Sequence, residues 1–588
     1  MNLSIKELFS SIWHNISKNK FTYISIAVFL QLFILSGLWV ISIVFQLALK
    51  FSGEEHLDKN NFWHIFFNPI SFVVFILLIL FAAFLMFIEF STLTFTIYGQ
   101  LTNNKYSIRN IASNAWSKMK NLIGIQILFF IGYFILTIPV ANLGVKSLIS
   151  KNLYIPKFIT GELTKTPNGL IVFILLISLL AYINFRLVYT LPLTVVGDKK
   201  LIDNIKTSWD LTKKGKLKFL ITIGLFEFIY GIISLIVLFS TTAFFALIDS
   251  KGNNLLIQTL FFTIASSIIF FFSVLSKVTV ITALITILIK ENQISEKLIN
   301  HKVEDKKKSR ILLVFSITVV LGTTLYNSAL LYTNGLNKNI MTIAHRGYVA
   351  QGVENSIESL EAAAKAGVNY VEVDILLTKD NKFVVMHDYN LKRLAGINKR
   401  VQDMNYDEVV GLPISQGDHK SKIPSFDEFV KKAKELNVKL LVELKPHGSE
   451  PNNYIDLLIN KIKELGIENE YKYMSLDLKV IEQLESKAPH LNTGYVIPLQ
   501  FGKFSNNNVD FFVIEDFSYR ESLVEQAKSQ GKQVYVWTVN DYAQINKYLQ
   551  SPVDAIITDE PEIVKDEKNE LENNKSYFDK ASRLLTGN

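Results

Sequence analysis

Residues 370–376 read YVEVDIL, an alternation that puts Val371, Val373 and Ile375 on one side and Glu372 and Asp374 on the other. Successive side chains of an extended chain point to opposite faces, so the two carboxylates share a face and the β-branched residues share the other. A strand of this kind is packed through its apolar side while its acids line a separate space, for which the rim of a barrel lumen is the natural candidate. Working outward, short β-rich runs at 342–345, 383–387, 439–444, 471–475, 493–497, 511–514, 533–538 and 555–558 alternate with helical stretches at 356–366, 425–436, 453–465, 478–487, 521–530 and 542–549. Strand–helix alternation over about 220 residues predicts a parallel α/β architecture, a (β/α)8 barrel of the TIM type. Nine candidate strands compete for eight places. The turn at 378–382 is too short for a parallel crossover, so a strand there is expected to be irregular or hairpin-like.

Polar residues collect at the predicted strand ends, where such a barrel builds its site. His345-Arg346-Gly347 ends the first run, His387-Asp388 closes the 383–387 run, and Glu443-Leu-Lys445 repeats the same-face spacing of Glu372 and Asp374. Three carboxylates offer hard oxygen donors suited to Ca2+ or Mg2+, and two imidazoles without thiolate help make zinc a poorer match. A phosphodiester gains negative charge on attack. A divalent cation with Arg346 and Lys445 would stabilise that charge, and a pair of imidazoles would relay protons. Trp537 fits either the core or a substrate-stacking wall, and His419 and His447 read as surface or loop residues.

The half of the chain before this region is different in kind. The 588 residues are 49% hydrophobic with 43 Phe, yet 19% charged, and the average conceals a division into two parts. About seven apolar runs, near 23–47, 71–97, 122–141, 170–196, 219–247, 256–289 and 311–331, are long enough to cross about 30 Å of hydrocarbon at about 1.5 Å per residue. The first is too long, and has too many successors, to be a cleaved signal peptide. The formal net charge of +8 arises from Lys in short loops between apolar runs, which reads as a topology signal; no nucleic-acid partner is expected. Basic residues crowd the N-terminus (Lys6, Lys18, Lys20), the second connection (Lys105, Arg109, Lys118, Lys120), the fourth (Lys199, Lys200, Lys206, Lys213, Lys214, Lys216, Lys218) and the sixth (Lys297, Lys302, Lys306, Lys307, Lys308, Arg310). The fifth offers only Lys251, whereas the third carries Lys146, Lys151, Lys157 and Lys165. Basic loops stay in the cytoplasm, so an inside N-terminus and seven crossings predict an extracytoplasmic catalytic domain on a multi-pass membrane protein. The parity depends on 256–289 being one span, although it is long for one and short for two. Glu89, Arg186, Glu227 and Lys277 lie inside apolar runs and need partners or water there: either they pair within a packed bundle or they form a polar path for a lipid headgroup. The chain has no Cys, which excludes disulfides, zinc–thiolate sites and cysteine nucleophiles. The expected organisation is a polytopic membrane domain over 1–335, a barrel over 340–563 and a polar C-terminal tail over 564–588.

The ordered set His345-Arg346-Gly347, Glu354-Asn355-Ser356, Glu372-Val-Asp374, Thr378-Lys379-Asp380, His387-Asp388, Glu443-Leu-Lys445, Trp537-Thr-Val-Asn540 and Asp554-Ala-Ile-Ile-Thr-Asp559 resembles the glycerophosphodiester phosphodiesterase family. Arg186-Leu-Val-Tyr-Thr-Leu-Pro and Ser208-Trp-Asp-Leu-Thr-Lys-Lys-Gly resemble the membrane domain fused to some bacterial members. The resemblance implies a metal-dependent phosphodiesterase in which Glu372, Asp374 and Glu443 bind one divalent cation and His345 and His387 act as general acid and base. It further implies that Arg346 and Lys445 hold the phosphate and that Glu354 supports the metal and histidine network; Asn355 is a further supporting candidate and Trp537 a candidate substrate contact. By the same resemblance, a neighbouring glycerol hydroxyl attacks phosphorus, the alcohol leaves, and a cyclic phosphate is hydrolysed to glycerol 3-phosphate. Two departures stand out. Val353 replaces a frequent Pro before Glu354, and Ser475-Leu476 replaces Ser-Phe, which would reshape the pocket. The expected partners are a glycerophosphodiester, lipid-linked or polymeric, and membrane lipids. Alternatives are a phospholipase C-like phosphodiesterase and a non-catalytic lipid-binding or transport module.

Overall fold

A computed structural model describes residues 4–53, 56–58, 61, 63–102, 108–119, 124–137, 157–213, 216–294, 306–333, 337–573 and 576–586. Lys105, Lys120, Lys146, Lys151, Lys214, Lys297 and Lys302 of the charge pattern lie outside the described residues, as does the end of the 122–141 run.

The first part is helical. Its long helices are α1 (Ile5–Phe51), α2 (Pro69–Leu101), α3 (Pro167–Arg186), α4 (Lys216–Ile248), α5 (Leu255–Lys290) and α6 (Lys306–Thr333). Among the described residues five helices are long and apolar enough to cross a membrane: α1, α2, α4, α5, and α3 taken together with the turn and short helix that follow it to Val196. The 122–141 run contributes the helix Ile125–Thr137, and the 311–331 run lies within α6.

The 256–289 run is one continuous helix, and its excess length has a physical reason. Thirty-six residues make about 54 Å of helix, well beyond the hydrocarbon thickness. The first part of α5 carries exposed Leu256, Leu260 and Ile264, whereas Ile281, Leu284, Ile285 and Leu288 are buried against Leu8, Ile12 and Ile16 of α1 and Leu93 and Ile97 of α2. In α1 the N-terminal third buries one stripe, Leu8, Ile12 and Ile16, and Phe29, Leu35, Trp39 and Leu47 further along are exposed. A lipid-facing belt therefore adjoins a packed helical bundle, and the long helices belong to both.

The four ionisable residues sit at the boundary between these layers. Counted from the helix ends at Pro69, Pro167, Ile248 and Leu255, they lie roughly 20 residues in, about 30 Å at the helical rise. Lys277 pairs with Glu89 at 3.4 Å, and Ser276 donates to Glu227. The Arg186 guanidinium donates to the Trp209 carbonyl and lies 4.4 Å from the centre of the Trp209 ring. Ser208 donates to the Arg186 carbonyl and accepts from the Tyr189 amide, fastening the end of α3 to the short helix Thr190–Val196. The Arg186 and Ser208 motifs are thus the two sides of one joint.

From Met341 the chain forms a barrel of eight parallel strands: β1 (Met341–Ala344), β2 (Tyr370–Leu377), β3 (Lys439–Leu444), β4 (Lys472–Ser475), β5 (Asn492–Ile497), β6 (Phe511–Glu515), β7 (Gln533–Trp537) and β8 (Ala555–Thr558). Neighbours in sequence pair in space, and β1 pairs with both β8 and β2, which closes the ring. The ninth candidate, Phe383–Val385, is antiparallel to β2 and stands outside the ring, as the short turn before it demands. Val371, Val373 and Ile375 pack among Leu360, Phe429 and Leu458 of the surrounding helices. Ile343, Leu441, Met474, Val496, Val513, Tyr535 and Ile557 fill the lumen.

Among the described residues, two regions of contact join the halves. His56–Leu57, in the connection between α1 and α2, pairs antiparallel with Phe501–Gly502 of the barrel. After the helix Pro561–Asn573, the segment read from composition as a polar tail forms helix α7 (Tyr577–Thr586), whose Tyr577 and Ala581 are buried against Phe245 and Phe261 of α4 and α5. Residues 564–588 carry an apolar stripe at helical spacing, so the composition is polar while one face is not.

Candidate active site

Register brings the acids together. Asp374 of β2 stands opposite Glu443 of β3, and Glu372 lies two residues earlier on the same face as Asp374. One carboxylate oxygen from each of Glu372, Asp374 and Glu443 lies within 4.8 Å of the others, and Glu372 and Asp374 are almost completely buried. Burial, reinforced by Asp374 and Glu443, pushes the Glu372 carboxyl well above its ordinary range, and burial also raises Glu443. Burial opposes ionisation of Asp374 too, but Lys445, His387 and Arg346 outweigh it and hold that carboxyl below the usual range. Asn355 locks Asp374 in place: its amide donates to Oδ2 at 2.8 Å, and its Oδ1 accepts from the Asp374 backbone N–H. Glu372 Oε2 accepts from the Arg346 backbone N–H, while Oε1 is buried without a hydrogen-bond partner among the described residues. An orphaned carboxylate oxygen in a cluster of three acids fits a divalent cation bound there.

The cations and imidazoles surround this cluster. Lys445 Nζ lies 3.5 Å from Asp374 Oδ1 and Arg346 Nε 3.5 Å from Asp374 Oδ2. Arg346 is in the left-handed region (φ 58°), and Gly347 follows at φ 86° with its Cα against Ser359, where a Cβ would collide. The His-Arg-Gly triplet thus turns the chain sharply off β1 and brings Arg346 over the acids.

Each histidine is held by an aspartate. His345 Nδ1 is 2.8 Å from Asp559, just past β8; Asn540, past β7, donates to that carboxylate and accepts from the Asp559 backbone N–H. His387 Nδ1 is 2.7 Å from Asp388. Burial depresses His387 below the ordinary imidazole value, partly offset by Asp374. Holding Nδ1 by a carboxylate fixes the ring orientation and leaves Nε2 as the nitrogen for proton exchange.

Glu354 occupies a different place from the three acids. It receives Arg346 Nη1 at 3.1 Å, Arg393 through both terminal nitrogens and Gln416 at 3.2 Å. Burial would raise its carboxyl, but the two guanidiniums bring it down to about 2. Arg393 also donates to Asp388 at 2.6 Å, so a single guanidinium links the support of His387 to the support of Arg346. Trp537, half-buried at the end of β7, packs on the lumen cluster. Thr378 and Asp380 bond to one another and stiffen the β2 hairpin away from the acids.

The sequence reading assigned no role to Arg393 or Gln416, and it quoted Asp388, Asn540 and Asp559 without one. Asp388 could have been flagged by its adjacency to His387, because an acid beside an imidazole can hold the ring by its Nδ1. Gln416 reaches Glu354 from a hairpin, Pro413–Gln416 with His419–Lys422, whose signal in the sequence is the two-residue turn Gly417-Asp418, with Gly417 at φ 57°.

Eight parallel strands with acids, imidazoles and cations gathered at their C-terminal ends define a (β/α)8 enzyme of phosphoryl chemistry. Residues 9–326 match the family model of the membrane domain of glycerophosphoryl diester phosphodiesterase, and residues 345–563 match the glycerophosphoryl diester phosphodiesterase family. The chain belongs to this family, in the form that carries the membrane domain, and is a glycerophosphodiester phosphodiesterase. A glycerophosphodiester phosphodiesterase of Caldanaerobacter subterraneus is 26% identical, with 38% of this chain and 95% of the relative covered. Lysophospholipase D of Homo sapiens is 24% identical over 38% of this chain and 84% of its own length. The crystal structure of a glycerophosphodiester phosphodiesterase from Parabacteroides distasonis is 28% identical, covering 40% of this chain and 99% of that one, with a TM-score of 0.36.

Proposed function

We propose that this protein is a metal-dependent glycerophosphodiester phosphodiesterase that stands on the outer face of the membrane and releases glycerol 3-phosphate and an alcohol. The observation that carries the metal dependence is the acid cluster itself: three buried carboxylates converge, one oxygen of Glu372 is orphaned, and the local cations do not neutralise Glu372. Glu372, Asp374 and Glu443 would hold one Ca2+ or Mg2+, which when bound supplies Lewis-acid stabilisation of the charge that builds on phosphorus. Arg346 and Lys445 orient the phosphate, with Asn355 and Glu354 keeping Asp374 and Arg346 in position. His345 and His387 exchange protons with the attacking glycerol hydroxyl, the leaving alcohol and then water. Trp537 forms part of the wall beside the leaving group. Residues 1–335 serve as the membrane domain, 340–563 as the catalytic barrel, and the remainder as a segment that returns to the membrane.

Sidedness is supported by parity. The barrel touches the connection between α1 and α2, and α7 touches the connection between α4 and α5; these are the first and fifth in the sequence reading, and neither belongs to the Lys-rich set. A barrel that follows seven crossings falls on the same side as both, and α5 as one helix satisfies that count.

Purified protein is expected to release glycerol 3-phosphate from glycerophosphocholine, to stop in excess chelator and to recover on addition of Ca2+ or Mg2+. Activity insensitive to chelator would overturn the metal site. Protease added to intact cells is expected to cut the barrel; cutting only after permeabilisation would reverse the topology.

A further inference from the structure

The loops that follow barrel strands form the reaction face, and one of them touches the membrane half. Beyond β5, Phe501 and Gly502 pair with Leu57 and His56, and Phe501 packs edge-on against both Phe45 of α1 and Phe517 beyond β6. Leu49 and Leu57 are buried in the same cluster, with Phe66 and Phe75 beside them. The Tyr495 hydroxyl, on β5, donates to Asp58 at 3.1 Å inside this contact. The rim of the catalytic mouth is therefore seated on the ends of α1 and α2 that lie away from the charged layer.

A second contact, independent of the first, is made by α7. The Tyr577 hydroxyl donates to Asp249 at 2.9 Å and Lys580 donates to the Gly252 carbonyl at 2.8 Å, both in the turn between α4 and α5. Phe578 packs on Phe239. Around the two contacts Phe51, Trp63, Phe67 and Leu585 are exposed. Exposed aromatic and apolar side chains at helix ends, beside polar groups, mark the level of lipid headgroups. The two contacts among the described residues fix the mouth at headgroup height, where a substrate confined to the leaflet reaches a high local concentration.

We propose that the 56–58 segment and helix α7 are docking elements that hold the catalytic mouth at the bilayer surface, so that the enzyme favours phosphodiesters carried in that leaflet over the same headgroup dissolved in water. The inference rests on the phosphodiesterase reading above. The bond broken is the same in both cases: water adds across the P–O bond, the alcohol takes a proton and the phosphate takes the hydroxyl.

The test uses the full chain reconstituted in phosphatidylcholine vesicles, with choline release as the common readout. One substrate is lysophosphatidylcholine in the vesicles and the other is glycerophosphocholine in solution. Phe501→Asp, and separately a chain ending at Asn573, are expected to lower vesicle-substrate turnover about tenfold while leaving soluble turnover within about twofold. Equal losses on both substrates, no loss on either, or faster wild-type turnover of glycerophosphocholine in solution than of the vesicle substrate would overturn the proposal. The docking geometry has its own readout because the chain has no Cys: Leu57→Cys with Phe501→Cys is expected to form a disulfide on mild oxidation in membranes and to keep vesicle activity, and failure to cross-link would overturn the contact. A wild-type protein that releases choline from neither substrate would overturn the phosphodiesterase reading instead, with the cross-link still deciding the docking.

Discussion

The mouth of the barrel and the charged layer of the membrane domain both remove ionisable groups from water, and they do so with opposite accounting. In the membrane domain Glu89 meets Lys277, Glu227 accepts from Ser276, and Arg186 is satisfied by a carbonyl and an aromatic face. In the barrel three carboxylates are pressed together, Asp374 takes most of the available positive charge, and Glu372 is left with a raised pKa and an orphaned oxygen. Matched burial is what a packed bundle needs. Mismatched burial costs stability and persists where a ligand restores the balance.

The largest expected effect tests the mismatch directly. Glu372→Gln should abolish turnover, yet in chelated protein it should raise thermal stability. The sign follows from linkage: a carboxyl raised in the folded state stabilises the fold below about pH 4.5 and loses that contribution as pH rises. Melting curves of chelated wild type should therefore fall with pH above this value more steeply than those of the variant. An equal pH slope in the two proteins would mean that the acids are not in conflict.

Removing one imidazole should cost about 10²–10⁴ in turnover, so His387→Ala is expected to fall in that range at neutral pH without changing metal affinity. Asp559→Asn should be milder, about 10- to 100-fold, because it leaves the His345 ring present but badly held. A steady-state comparison of the two variants ranks chemistry against orientation. The matched layer should respond on stability alone. Glu89→Gln and Lys277→Met should each destabilise by about 1 kcal/mol with activity on a soluble substrate unchanged, and the double variant should recover part of that loss. Losses that add in full would mean that the pair is not coupled.

The smallest effect concerns the far end of the lumen. Lys472 is buried among Tyr370, Phe511 and Tyr535, and burial lowers its ammonium to about 8. A depressed ammonium penalises the fold while charged, so wild-type stability should rise as pH climbs from about 8 toward 10. Lys472→Met should flatten that rise.

Much of the site was legible in order. The two-residue spacing in Glu372-Val-Asp374 fixes a common face in any strand, and apolar Val371, Val373 and Ile375 name the other face. Arg393 was not legible: it lies in the one-turn helix Lys392–Ala395, too short to carry a periodic signal, and its value comes from touching Asp388 and Glu354, which are distant from each other in sequence. The length of 256–289 was legible as an anomaly but not as its cause, because a helix that is half lipid-facing and half packed is apolar throughout.

The sequence by itself determined the parts that depend on local chemistry: alternating strands and helices, apolar runs long enough to span lipid, and donors suited to a hard cation and a phosphodiester. Tertiary structure decided that Asp559 and Asn540 reach across from the last two strands to hold His345, and that Lys277 meets Glu89 while its neighbour Ser276 meets Glu227. It also decided that a polar tail returns as α7 to grip the membrane helices. These outcomes depend on pairing register and the meeting of side chains hundreds of residues apart, neither of which is a property of any single stretch of chain.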